Sequence, residues 1–125
     1  MFNNNRFYIP QGKTKQDWYQ ISAKSQDTVE IYIYDEIGYF GVSSKDFIDE
    51  LNAVEASHII LRINSPGGSV FDGTAIYNAL KRHPAKITTV IDGAALSMAS
   101  IIALAGDEVN MVENGIYMIH NPQRS

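Results

Sequence analysis

An apolar run that ends on paired glycines limits this chain more than any other feature. Ile59 to Ile63 is apolar except for Arg62, and Asn64-Ser65-Pro66-Gly67-Gly68-Ser69 follows at once. A short run of this kind reads as a strand buried on both faces of a sheet, and the proline and glycines end it. Beyond the turn, Phe71, Ala75, Ile76, Ala79 and Leu80 recur at helical spacing, which predicts a helix over about 70–82 that Pro84 stops.

The same unit recurs on both sides. Val29 to Tyr34 alternates and is rich in β-formers, so it predicts a strand. Ser43, with Asp46 three residues on, resembles a capping box. Phe47, Ile48, Leu51 and Val54 then predict a helix over about 44–56. Ile87 to Ile91 predicts a strand, Gly93 a break, and 97–105 a helix of small residues ended by Gly106. Glu108 to Val112 and Ile116 to Ile119 predict two short strands about the Asn114-Gly115 turn. The order β-α-β-α-β-α-β-β belongs to the α/β class. Residues 1–28 are the least patterned and read as an N-terminal arm with a short strand near Trp18 to Ile21; residues 29–125 carry the domain.

Composition closes off several functions. With 45% hydrophobic residues, 125 residues suffice for one core. A net charge of −4 and the scattered Arg6, Lys13 and Lys15 leave no basic stripe for nucleic acid. The absence of cysteine removes disulfides, thiolate zinc sites and a cysteine nucleophile. No spacing suggests a metal or a cofactor, and no phosphate-binding Gly-x-x-x-x-Gly-Lys loop occurs, so any ATPase is a separate partner. No stretch approaches the ~18 apolar residues that span a bilayer. The start, Met1-Phe2-Asn3-Asn4-Asn5, lacks the apolar region of a signal peptide. The expectation is a cytoplasmic protein with no membrane contact.

Three segments carry chemistry. Gly67 and Gly68 follow a strand and precede a helix, where backbone amides can bind an anion or a developing oxyanion; a tight turn would equally call for glycine. Ser97 follows Gly93-Ala94-Ala95-Leu96 at a helix start, where a serine can cap the helix or, among small neighbours, act as a nucleophile with the Met98 amide as oxyanion donor. Ser100 lies one turn along and reads as a packing residue. His120 ends an apolar strand, a common place for active-site residues in α/β folds, although such a histidine is often structural. His58 opens a strand and His83 closes a helix, where a cation suits the dipole. A nucleophile, a base and two amides make up the minimum for acyl transfer. The carboxylate that would orient the imidazole stays open among Asp72, Asp92 and Asp107.

Ile63-Asn64-Ser65-Pro66-Gly67-Gly68, Gly93-Ala94-Ala95-Leu96-Ser97-Met98 and Met118-Ile119-His120-Asn121-Pro122 together resemble the signature blocks of the Clp protease proteolytic subunit family. Ser97 follows Gly68 by 29 positions and His120 follows Ser97 by 23, in the family's order. Within that family, Val70 to Leu80 and Ile102 to Asp107 resemble the phage and prophage branch, the Clp-like head maturation proteases. The resemblance implies a crotonase-like spiral of ββα units with its C-terminal part missing. It implies Ser97 as nucleophile, His120 as base, and Gly68 and Met98 as oxyanion hole. Gly67, Ser69, Val70, Asn121 and Pro122 would lie along an extended polypeptide substrate, with a capsid or scaffold protein as its source. It further implies a homo-oligomeric ring and a separate ATPase unfoldase. The family's triad aspartate lies well beyond the histidine, and no aspartate present matches it, so the 125 residues alone are expected to be inactive or nearly so. Two other classes remain: an acyl-CoA thioester enzyme of the crotonase type, and a ring or scaffold component without catalysis. A membrane-associated peptidase with a serine–lysine dyad fits less well, because a Met-Ile-His-Asn-Pro block is present.

Overall fold

A computed structural model of the chain describes residues 18–38 and 43–119. Strands β1 (Tyr19–Ala23), β2 (Thr28–Tyr34), β3 (His58–Ser65), β4 (Lys86–Leu96) and β5 (Glu108–Met111) lie in that order across one sheet, and β6 (Ile116–Met118) pairs with the far end of β4. Only β1 and β2 are antiparallel; every other pair is parallel. Helices α1 (Ser44–Asn52), α2 (Val70–Arg82) and α3 (Met98–Ala103) connect the strands. Parallel neighbours require such crossovers, which is why strand and helix alternate along this sequence.

The core forms on the side where the helices lie. Val29, Ile31 and Ile33 of β2, Ile59, Leu61 and Ile63 of β3, and Ile87 and Ile91 of β4 are buried together with Phe47 and Leu51 of α1, Ile76 and Leu80 of α2, and Ile102 of α3. Strand β1 belongs to this core. Trp18 is 1% exposed and stacks on Phe47 with ring centroids 5.7 Å apart, and the Tyr19 hydroxyl donates to Glu50 at 2.9 Å. Residues 18–23, grouped above with an arm, are thus packed into the sheet; two aromatics in an otherwise polar stretch were the available sign.

The other face of the sheet is polar, which corrects the expectation that β3 is buried on both sides. Its residues alternate, with Ile59, Leu61 and Ile63 inside and His58, Ile60 and Arg62 half-buried. Arg62 reaches both neighbouring strands, donating to Glu30 at 2.9 Å and to Asp92 at 2.7 Å. Tyr32 donates to Glu30 at 2.7 Å, Tyr34 to Asp92 at 2.7 Å, and Lys24 lies 3.7 Å from Glu30. Burial works to raise the Glu30 pKa, but hydrogen bonds from Arg62 and Tyr32 and the charge of Lys24 outweigh it and hold it below the usual range. Burial and the Asp92 bond push Tyr34 up to about 12.

Several ends differ from their expected places. Strand β4 runs through Gly93 to Leu96 instead of ending at Ile91, and α3 begins at Met98 and spans six residues. Helix α1 has Ser43 at its N-cap without a side-chain bond; the Ser44 amide instead donates to Asp72 of α2 at 3.0 Å. His83 accepts from the Ala85 amide through Nδ1 at 3.1 Å and sits 3.1 Å from the Val54 carbonyl through Nε2. Among the described residues no helix is long and apolar enough to cross a membrane.

Arg62→Met leaves Glu30 and Asp92 without their shared cation. The group is half-buried, so the expected loss is about 2 kcal/mol, below the ~3–5 of a fully buried pair; urea denaturation at neutral pH measures it. Glu30 has a depressed folded pKa, so its contribution is full above its unfolded pKa of about 4.3 and is lost as pH falls through the lower folded value. The stability gap between the parent and Glu30→Gln is therefore expected to close as the pH is lowered below about 4.3 and through the depressed folded pKa of Glu30.

Candidate active site

Two sharp turns at the same end of the sheet face one another. The first leaves β3. The Ser65 hydroxyl donates to the Asp35 carbonyl at 2.7 Å and accepts from the Gly67 amide at 3.1 Å. Ile37 then clamps the turn as an isolated parallel bridge to Gly68: its amide donates to the Gly67 carbonyl at 2.8 Å, and its carbonyl accepts from the Ser69 amide at 3.3 Å. This bridge uses the groups on either side of Gly68 and not Gly68's own N–H and C=O. Gly67 and Gly68 have φ of 110° and 147°, angles that glycine adopts without strain. A Cβ on Gly68 would stand 2.4 Å from the Ile37 carbonyl oxygen. Ser69 caps α2, its hydroxyl accepting from the Asp72 amide at 3.1 Å and its carbonyl from the Gly73 amide at 2.9 Å.

The second turn is Ser97. Strand β4 reaches it through a bulge. Ile63 faces Ile91, but Ser65 faces Ala95, so two residues of β3 span four of β4. Asn64 fills the gap, its side-chain oxygen accepting from the Ala94 amide at 3.0 Å. A Cβ on Gly93 would come within 2.5 Å of that oxygen, so a side chain there would push it from its bond. Past the bulge, Ala94, Ala95 and Leu96 pair with Ile116, Tyr117 and Met118 of β6. Ser97 follows at φ 54° and ψ −127°, half-buried, with no capping bond from its hydroxyl. That conformation costs a residue with a Cβ about 1–3 kcal/mol and persists only where its surroundings impose it. Here they do: the Ser97 amide donates to the Met118 carbonyl at 3.0 Å, and the Ser97 carbonyl accepts from the Ser100 amide at 2.9 Å.

The two turns touch. A Cβ on Gly67 would lie 2.9 Å from the Ser97 Cβ and 3.3 Å from the Met98 amide nitrogen. Gly67, Gly68, Ser97 and Met98 are thereby gathered into one corner. Ser69 and Val70 start the adjoining helix, where Val70 is 51% exposed. His120, Asn121 and Pro122 lie outside the described residues.

The open question of a carboxylate narrows. Asp72 accepts from the Ser44 amide, Asp92 from Arg62 and Tyr34, and Asp107 from the Ile87 amide at 2.8 Å. Burial works to raise the Asp72 pKa, and hydrogen bonds from Ser44 and Ser69 outweigh it and keep it low. Each of the three has a structural use in holding strands or helices together. No group of His, Asp and Glu side chains suited to a metal occurs among the described residues.

The Clp protease family model matches residues 12–125, nearly the whole sequence. The chain belongs to the Clp protease family. It is 31% identical over 129 residues to the ATP-dependent Clp protease proteolytic subunit 1 of Bifidobacterium longum, covering 94% of this chain and 54% of that one. The Clp protease catalytic domain of Plasmodium falciparum superposes with a TM-score of 0.55 at 28% identity over 78% of this chain and 56% of that one. An enoyl-CoA hydratase of Mycobacterium avium subsp. paratuberculosis superposes with a TM-score of 0.64 at 16% identity, over 81% and 46%, which shows a shared fold alone. The expected crotonase-like α/β fold of the Clp proteolytic subunits is thus the one observed. The chain spans from 33% to 54% of the length of the first curated relatives it matches.

Sequence reading placed Asn64 and Ser65 in a signature block but gave neither them nor Ile37 a part in building this corner. Ile37 sits in an unpatterned stretch, and the other two are small polar residues inside a turn motif. Gly68→Ala drives a methyl group against the Ile37 backbone and is expected to cost about 2 kcal/mol or more. Gly93→Ala need only displace the end of the Asn64 side chain, losing one hydrogen bond of about 1 kcal/mol. Denaturant midpoints for the two variants should rank in that order.

Proposed function

We propose that this corner is the active site of a serine endopeptidase of the Clp type. What supports the reading above all is Ser97 itself: a half-buried serine held at positive φ on a strand-to-helix elbow, against a turn that carries two glycines. Such elbows present the hydroxyl clear of its own backbone, and strain of this kind collects at functional sites.

In the proposed reaction the Ser97 hydroxyl attacks the peptide carbonyl while His120 takes its proton. The carbonyl oxygen becomes an oxyanion, stabilised by the amides of Gly68 and Met98. Collapse of this intermediate breaks the C–N bond, and His120 returns the proton to the departing amine. Water, deprotonated by His120, then hydrolyses the acyl-serine and restores the hydroxyl. No orienting carboxylate is assigned, and Asp72, Asp92 and Asp107 each have hydrogen bonds within the fold.

The substrate would be an extended polypeptide bound by strand addition. Gly67 and Ser69, both expected along it, give their backbone groups to Ser65, Ile37 and Gly73. The peptide-facing edge is therefore assigned to Gly68, with Val70 at the start of α2 offering its exposed side chain and Asn121 and Pro122 on the other side of the peptide. The family resemblance further suggests a ring of like subunits served by a separate ATPase, and a capsid or scaffold protein as substrate. Exposed apolar side chains on β5 and β6, among them Met111, Ile116 and Met118, fit burial against further polypeptide.

Intact-mass analysis after treatment with a fluorophosphonate tests the reading on the full-length protein. One adduct is expected, mapping to Ser97 and lost in Ser97→Ala, with peptidase turnover falling by about 10⁴-fold or more in that variant. Peptide turnover undiminished in Ser97→Ala would sink the reading, and thioester turnover surviving that change would favour a hydratase-like activity instead.

A further inference from the structure

Strand β6 holds the Ser97 residue from two directions. Directly, its Met118 carbonyl accepts the Ser97 amide at 3.0 Å. Indirectly, the Tyr117 hydroxyl donates to the Ser100 carbonyl at 3.0 Å, and Ser100 in turn donates both its amide, at 2.9 Å, and its hydroxyl to the Ser97 carbonyl. Tyr117 is half-buried between Ile116 and Met118, each 54% exposed, so it is the one β6 side chain turned toward the body of the fold. Ser100 is fully buried. The last turn of α3 leaves room for this contact, because the Leu104 amide turns to the Ile101 carbonyl at 3.0 Å, in the tighter i to i−3 manner.

We propose that Tyr117 and Ser100 are positioning residues for Ser97, joined as a brace that ties the serine elbow to the strand leading into His120. The inference rests on the reading of Ser97 as nucleophile and His120 as base. Its physical basis is that a strained φ survives only where its neighbours over-determine it. The Ser97 amide and carbonyl are the two groups whose directions set φ and ψ, and β6 governs both. The same strand ends at Met118, two positions before His120. One short element therefore fixes the elbow and carries the chain to the base, and the phenol of Tyr117 is the side chain that makes the link rigid. Burial raises the Tyr117 pKa, so the hydroxyl stays a proton donor through the range in which a histidine titrates. Ser100, expected only to pack, uses its buried hydroxyl within this brace.

Tyr117→Phe keeps the ring in place and removes the donor; Ser100→Ala keeps the helix and removes the hydroxyl. In the full-length protein, the second-order rate of fluorophosphonate labelling at Ser97 is expected to fall about tenfold in each variant, because small displacements of a nucleophile reduce rate steeply. Peptide kcat should fall with it while KM is unchanged. Tyr117 bonds the Ser100 backbone carbonyl, which Ser100→Ala leaves in place, so the two changes remove separate contacts and the double variant should be slower than either single variant. Rates are taken per folded molecule, counted by near-ultraviolet circular dichroism and thermal unfolding, which separates positioning from a loss of folded protein. Labelling and kcat at parental values in both single variants would overturn the brace. A parent protein whose adduct persists in Ser97→Ala would instead overturn the nucleophile reading on which the brace rests, and that control is read before the variants are compared.

Discussion

Strand β4 carries the structure. It is hydrogen-bonded to β3 on one side and to β5 and then β6 on the other, so its backbone direction is set along nearly its whole length. A strand paired on both edges cannot twist or slide independently. The bulge at Asn64 is where that rigidity is turned to use. Two surplus residues let β4 leave the regular ladder, and the Asn64 side chain supplies the acceptor that the ladder no longer provides. What emerges beyond the bulge is a short stretch paired with β6 along one edge and with β3 at Ser65–Ala95, ending at a serine in a conformation that few residues adopt.

The two faces of the sheet divide the work. On the helical side, isoleucine, leucine and valine make a dry core, closed at the β1 edge by Trp18, Tyr19 and Phe47. On the other side, Glu30, Arg62, Asp92 and the two tyrosines Tyr32 and Tyr34 bridge three strands with charge-assisted bonds. Asp92 belongs to that network and is also the residue just before the bulge, so the polar face pins β4 at the point where it departs from the sheet. The first turn is anchored just as firmly: Asp35 and Ile37, which follow β2, take hold of Ser65, Gly67 and Ser69 beyond β3. Both halves of the corner are therefore built from strands that are neighbours in the parallel sheet.

Sharing a fold with enoyl-CoA hydratases while belonging to the Clp protease family is coherent in these terms. A fold does not fix a reaction, and the hydratases share with this chain only the fold.

Much of the architecture was legible in advance. Alternation in Val29 to Tyr34 and helical spacing after Ser43 and Ser69 are local, and local periodicity follows directly from backbone geometry. The blocks around Gly68 and Ser97 could be found because glycine, proline and small residues mark turns wherever they occur. The misreadings have one cause. Gly93 looked like a strand end, β3 looked buried on both faces, and Ser43 looked like a side-chain cap. In each case a partner distant in sequence decided otherwise: Asn64 for Gly93, Glu30 and Asp92 for Arg62, and Asp72 for the first turn of α1. By itself the sequence determined the kinds and order of elements and the residues able to do chemistry. The tertiary structure decided which of them meet, the φ at which Ser97 is held and the uses of the aspartates, because those depend on hydrogen bonds between residues some 20 to 60 positions apart, which no local pattern encodes.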